Sequence, residues 1–203
     1  VWTAKKRYIL NLYDMEGVRF KEPKLKIMGL EAVKSSTPAP CREKLKEAIK
    51  LIMNGDEKLL NTFIQDFREE FMSLPAEDIA YPRSCNGLKK FRGTDRLFAL
   101  GAPKHVKGAI LYNHLVDENN LGNKYVSIQE GDKVKFVNLR QNIYQASAFS
   151  FMTKIPPELD ILPMVDFTSQ YEDSFIAPLR VITDKINWIL KDDEIGTLED
   201  FFG

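Results

Sequence analysis

The chain has 203 residues, 44% hydrophobic and 29% charged, which is enough apolar material for one domain, or for one domain carrying part of another. Its 29 basic and 29 acidic residues cancel, so the chain as a whole has no pull toward a polyanion and any nucleic-acid surface must come from local clusters. Cys41 and Cys85 stand apart with neither metal-ligand nor disulfide spacing, no apolar run nears the roughly 20 residues of a membrane span, and the N-terminus carries no signal-peptide core; the expectation is a soluble intracellular protein with no membrane partner.

In chain order, Tyr8–Tyr13 is rich in β-formers, Asp14-Met15-Glu16-Gly17 favours a reversal, and Lys24–Gly29 alternates charged and apolar side chains at the strand period of two. Together they predict a β-hairpin. An isolated hairpin is marginal in water, so its apolar face is expected to dock on something else. Thr37-Pro38 reads as a helix start, with a hydroxyl to cap and a proline pre-set for the first turn. Leu45, Ala48, Ile49, Ile52 and Met53 then fall at helical spacing up to Asn54-Gly55, a left-handed C-cap pair. Asp56 is placed to cap a second helix in which Leu59, Leu60, Phe63, Ile64, Phe67 and Phe71 form an apolar stripe ended by Leu74-Pro75. So short a link predicts two antiparallel helices.

From Ile79 to Gly101 the pattern breaks into short basic and aromatic pieces expected to be strand and loop. His105–Asn113 restarts a helix despite Gly108, which costs about 1 kcal/mol against alanine and so marks close packing. Lys133–Val137 alternates as a strand. Asp166 to about Leu190 is expected to form a last amphipathic helix kinked at Pro178.

Several residue groups bear on function. If Lys5-Lys6-Arg7-Tyr8 lies in a strand, Lys6 and Tyr8 share one face and Lys5 and Arg7 the other. A lysine beside a tyrosine there suits minor-groove acceptors; the same pattern also fits a solvated basic edge strand that discourages aggregation. Lys34-Ser35-Ser36 precedes a helix N-terminus, a place for a phosphate or for an ordinary cap. The cluster Lys89-Lys90-Phe91-Arg92, with Arg83 and Arg96 near it and Lys104, His105 and Lys107 further on, concentrates positive charge suited to sequence-independent phosphate contacts, or to a solvated face. His105 and His114 lack the carboxylate spacing of a metal or catalytic site. Asp14 and Glu16 read as a solvated turn and Asp192-Asp193-Glu194 as a linker. Leu198, Phe201 and Phe202 fall on one side of a helical turn, the geometry of a peptide that plugs an apolar pocket or packs back on its own chain.

Lys5-Lys6-Arg7-Tyr8, the run to Gly29-Leu30-Glu31, and Lys34-Ser35-Ser36-Thr37-Pro38 together resemble the end of the palm and the palm-to-thumb crossing of family B replicative DNA polymerases, nearest the T-even-like bacteriophage branch. Lys104–Asn113 resembles the thumb signature of that branch, with Lys107 where arginine is usual, which keeps the charge and loses a bidentate fork. The resemblance implies an α+β fold: a palm hairpin at 1–29, a mainly helical thumb with a small β element at 30–190, and a tail at 191–203. It implies a DNA-binding part of a DNA-directed DNA polymerase. Lys5, Lys6, Arg7, Tyr8, Lys34, Ser35, Ser36, Lys89, Lys90, Lys104, His105 and Lys107 would then face the primer-template, and Leu198, Phe201 and Phe202 would bind a sliding clamp.

The metal-binding aspartates of that family lie upstream of the Lys-Lys-Arg-Tyr element. No catalytic residue or metal ligand is therefore expected in this chain, which would be inactive alone. Magnesium would belong to the complete polymerase site. The implied partners are primer-template DNA, the N-terminal polymerase portion with exonuclease, fingers and the rest of the palm, and the clamp; the implied location is the cytoplasm, that of the host if phage-encoded. The alternatives are an autonomous nucleic-acid- or clamp-binding module without a polymerase partner, and an interaction scaffold whose hairpin docks a partner sheet.

Overall fold

The computed structural model describes residues 2–93 and 96–191. In chain order the elements are strands β1 (Trp2–Ala4), β2 (Arg7–Met15) and β3 (Val18–Met28), helices α1 (Ala39–Asn54), α2 (Glu57–Ser73) and α3 (Ala76–Ile79), strand β4 (Tyr81–Ser84), helices α4 (Leu88–Phe91) and α5 (Lys104–Glu118), strands β5 (Lys133–Asn138) and β6 (Ala148–Phe151), and helices α6 (Phe167–Tyr171) and α7 (Ala177–Thr183). The fold is α+β, as the sequence pattern indicates. Two compact units result: one gathers the chain up to Ser73 and from Tyr171 onward, the other spans Leu74–Gln170.

In the first unit, β1, β2 and β3 form an antiparallel sheet in that order. The hairpin is longer than its sequence suggests. Asp14 pairs with Arg19 and Met15 with Val18, so the reversal narrows to Glu16 and Gly17, both at positive φ (55° and 80°). A two-residue turn of this hand matches strand twist, and glycine adopts it at no steric cost. Ile9 is fully buried, whereas Tyr13, Met15 and Val18 near the tip stay exposed.

The two long helices follow their apolar periodicity. Cys41, Leu45, Ala48, Ile49 and Ile52 of α1 and Leu60, Ile64, Phe67 and Phe71 of α2 are buried, while Leu59 of the expected stripe is exposed. Lys44, near the start of α1, reaches Glu70, near the end of α2, at 2.6 Å, as an antiparallel pair requires. Asp56 Oδ1 accepts the Leu59 N–H at 2.8 Å and so starts α2. The start of α1 departs from expectation: Pro38 takes the cap position and no side chain caps it, because Thr37 is turned inward and buried. Against these helices packs the last helical stretch, with Phe67 centred 4.7 Å from Phe175 and 5.8 Å from Tyr171, whose hydroxyl donates to the Ile64 carbonyl at 2.8 Å. Within this unit the stretch runs from Tyr171 through a π-turn at Glu172–Ile176 into α7, and it ends by Ile186 rather than near Leu190. Pro178 lies just beyond the wide turn, where its missing N–H costs no regular helical bond.

In the second unit, β4, β5 and β6 form a second antiparallel sheet with β5 central. Helix α5 lies close on β6: a Cβ on Gly108 would stand 2.6 Å from the Ser150 nitrogen and 2.8 Å from the Phe149 carbonyl carbon. The close packing expected at this glycine is therefore present. Around it Val106, Leu111, Val137, Phe149, Phe151 and Ile161 build the core. Gln170 stitches the unit together from inside, accepting the Asn138 N–H at 2.9 Å and donating to the Ile79 carbonyl at 2.7 Å. Among the described residues no helix is long and apolar enough to cross a membrane.

Candidate nucleic-acid interface

The first unit carries two groups of the expected contact residues. Lys5 and Lys6 form the turn between β1 and β2 rather than part of a strand, and Lys6 has φ 64°. The alternation of faces expected for Lys5-Lys6-Arg7-Tyr8 therefore holds only from Arg7 onward. The turn instead holds both lysines out in solvent, with exposed Arg7 beside them and half-buried Tyr8 pairing with Met28. Gly29, at φ 69°, sits where a side chain would strike the Lys6 carbonyl oxygen. A sequence-distant glycine thus fixes where this cationic turn stands.

The Lys34-Ser35-Ser36 group is less open to an anion than its position suggested. Lys34 Nζ pairs with Glu31 at 2.7 Å. Ser35 is exposed and Ser36 half-buried, ahead of buried Thr37 and Pro38. Prolines at 38 and 40 also remove N–H donors from the opening turn of α1. What remains for a phosphate is the Ser35 hydroxyl and a lysine already shared with a carboxylate.

The second unit holds the rest. Lys89 and Lys90 are exposed on α4, a short helix where a loop was expected. Its first amides, Gly87 N–H and Leu88 N–H, donate to the Glu130 carboxylate. This leaves the lysines in the last turn, where the helix dipole favours cations. Lys104 is exposed and its Nζ donates to Asn138 Oδ1 at 3.2 Å, so a residue 34 positions away steers it. Lys107 is half-buried with its Nζ 5.4 Å from the centre of the Phe98 ring. His105 is half-buried, its carbonyl accepting the Ser150 hydroxyl at 2.7 Å and its ring 6.0 Å from Phe136. Burial first, and the Arg83 charge second, push its imidazole below the ordinary value. At neutral pH His105 is a neutral hydrogen-bonding group, not a cation.

Burial pushes both Cys41 and Cys85 up to about 11, the latter helped by Glu130 and Asp132, so neither is a nucleophile at neutral pH. Leu198, Phe201 and Phe202 lie outside the described residues. Among the described residues no three histidine, cysteine or carboxylate side chains cluster so as to hold a metal ion.

Sequence reasoning missed the groups that orient these cations. Asn138, Gln170 and Glu130 act through partners far away in the chain, and no local pattern announces them. Gly108 was the one long-range signal visible in advance, because a glycine inside a helix has a cost that packing must repay.

Fold and charge thus describe an α+β protein with exposed lysines in each unit and no metal centre of its own among the described residues. No protein-family model matches the sequence. It is similar to the DNA-directed DNA polymerase of Enterobacteria phage T4, 33% identical over 208 aligned positions that take in 100% of this chain and 22% of that enzyme. It is likewise similar to the DNA-directed DNA polymerase of Escherichia phage RB69, 37% identical over 187 positions, 90% of this chain and 20% of the enzyme. The chain spans about a fifth of the length of the curated relatives it matches. It is a relative of the T-even-like phage DNA polymerases, as its motifs indicated.

Proposed function

We propose that this chain is the terminal palm hairpin and thumb of a family B DNA-directed DNA polymerase, a DNA-binding part that grips the primer-template duplex behind the primer end. The observation that carries this reading is the similarity, along essentially the whole chain, to two phage proteins named as DNA-directed DNA polymerases. The placement of Lys5 and Lys6 on an exposed turn, and of Lys89, Lys90 and Lys104 on exposed helical positions, supports it. Contacts of this type neutralise phosphates without reading sequence, which a protein moving along any template needs. Their catalytic value is positional, since holding the duplex in line for attack removes orientational freedom from the reaction.

The chemistry of nucleotidyl transfer belongs, on this proposal, to the polymerase portion that would carry the metal-binding aspartates. The terminal Leu198, Phe201 and Phe202 tether the assembly to a sliding clamp and so extend its residence on DNA. The setting would be the cytoplasm of an infected host. Mixing this chain with the upstream polymerase portion and following primer extension, with and without clamp, tests the reading. No incorporation by the chain alone, restored incorporation in the mixture, and longer products with clamp are expected. Robust synthesis by this chain alone, or a mixture that stays inactive and binds no primer-template, overturns it.

A further inference from the structure

The chain leaves its last helical stretch by a fixed bend. Asn187 takes a left-handed conformation, φ 57° and ψ 35°, and the Trp188 N–H donates back to the Thr183 carbonyl at 3.1 Å. Caps of this kind turn the backbone away at a helix end, and asparagine is one of the few residues besides glycine that enter them readily. Beyond the bend Ile189 and Lys191 are exposed while Trp188 and Leu190 are half-buried. That alternation marks extended backbone.

The extended piece is latched to α2 by side chains, not by a sheet. The Ile189 N–H donates to Glu57 Oε1 at 3.1 Å and the Lys191 N–H to Asn61 Oδ1 at 2.9 Å. Acceptors four residues apart on a helix are about 6.0 Å apart along its axis, and N–H groups two residues apart on an extended chain about 6.7 Å, so one helical turn fits one strand repeat. Asn61 is aimed beforehand, because its Nδ2 donates to the Glu57 carbonyl at 3.2 Å and leaves Oδ1 for the incoming N–H.

Neither latch lies in the core. Both hydrogen bonds are exposed, whereas Thr183, which anchors the bend, is fully buried. Exposed bonds beyond the end of a helix open at a free energy far below that of global unfolding. Only Leu190 separates the two latched amides, so freeing one spoils the geometry of the other.

We infer that residues 189–191 are a releasable strap whose two latches open and close together, turning about Asn187. Closed, the strap sends the chain off from the flank of α2 at Lys191. Open, it lets the chain depart from Trp188, three residues earlier, and so extends the reach of whatever lies beyond. On the polymerase reading, what lies beyond is the peptide with Leu198, Phe201 and Phe202; the strap itself needs neither DNA nor clamp.

Hydrogen exchange in the full chain, read at single amides by NMR, tests this. In the parent chain the Ile189 and Lys191 amides exchange slower than in an unstructured peptide by about tenfold or more. Glu57→Ala returns both to within about twofold of the unstructured rate, although it removes the acceptor of only one, and Asn61→Ala does the same. Glu57→Gln, which keeps Oε1 as an acceptor, stays within about threefold of the parent. Ile189→Pro deletes a donor without touching α2; it frees Lys191 alike, and adding Glu57→Ala to it changes nothing further. In every variant the Trp188 amide and the amides of buried Ile64 and Phe67 keep their parental rates, which separates opening of the strap from loss of the fold. Unprotected latches in the parent chain, latches that respond one at a time, or a Trp188 amide that speeds up with them overturns the inference. Primer extension decides the polymerase reading without reading these amides, so either can fail alone.

Discussion

In the unit built on α1 and α2, shape comes from rings and aliphatic side chains on successive helical turns, with Phe67, Phe71, Tyr171 and Phe175 joined in one chain of ring contacts. In the unit built on β4, β5 and β6, it comes from pairings between distant segments: Gly108 against Ser150, Gln170 against Asn138 and Ile79, Glu130 against the start of α4. The first kind of core tolerates reshaping of its surface because each helix carries its own pattern. The second kind leaves less freedom, since removing one member strands polar groups tens of residues away.

The largest expected effect tests the first half of that contrast. Phe67→Ala empties a site that is 1% exposed and bordered by three aromatic rings, so it should cost about 4 kcal/mol. Both tryptophans, Trp2 and Trp188, belong to this unit, so the denaturant midpoint followed by tryptophan fluorescence reports it alone. A loss below about 1 kcal/mol would mean that the ring cluster does not hold the helices.

Next comes the sheet unit. Gly108→Val drives a branched side chain into the β6 backbone, an overpacking that should cost about 3 kcal/mol. Amide exchange across α5 and β6 should speed up accordingly. Unchanged protection there would show that the helix can lift off the strand at little cost.

The smallest effect concerns pH. Because the folded His105 imidazole lies below its ordinary value near 6.5, the unfolded chain binds more protons over the window between the two values. Stability from this group is present above about pH 6.5 and declines as the pH falls through that window. Denaturation midpoints between pH 7.5 and 5 should fall less steeply in His105→Gln than in the parent chain. Parallel profiles would place the titration elsewhere.

Much of the helical unit was legible in the sequence because its information is local: a stripe at helical spacing, Asp56 ahead of α2, Gly55 behind α1. Even there, local preference lost to burial at Thr37, whose hydroxyl side chain turned inward and left the cap to Pro38. The Lys5-Lys6 turn was missed for a related reason, since β1 is only three residues long and nothing in its composition marks it as a pairing partner for β2. Strand β6 and the π-turn before Pro178 depend on what packs across them and had no periodic signature of their own. Of the candidate interface, residue identity and charge could be read ahead. The engagement of Lys34 by Glu31, the steering of Lys104 by Asn138 and the neutrality of His105 could not, because each is set by a neighbour that only folding supplies.

The seat of Gly29 has a mechanical consequence. With the Lys6 carbonyl filling the volume a side chain would need, the turn between β1 and β2 stands directly against the exit from β3. Any side chain at position 29 would therefore have to push the lysine-bearing corner away from the segment leading into α1.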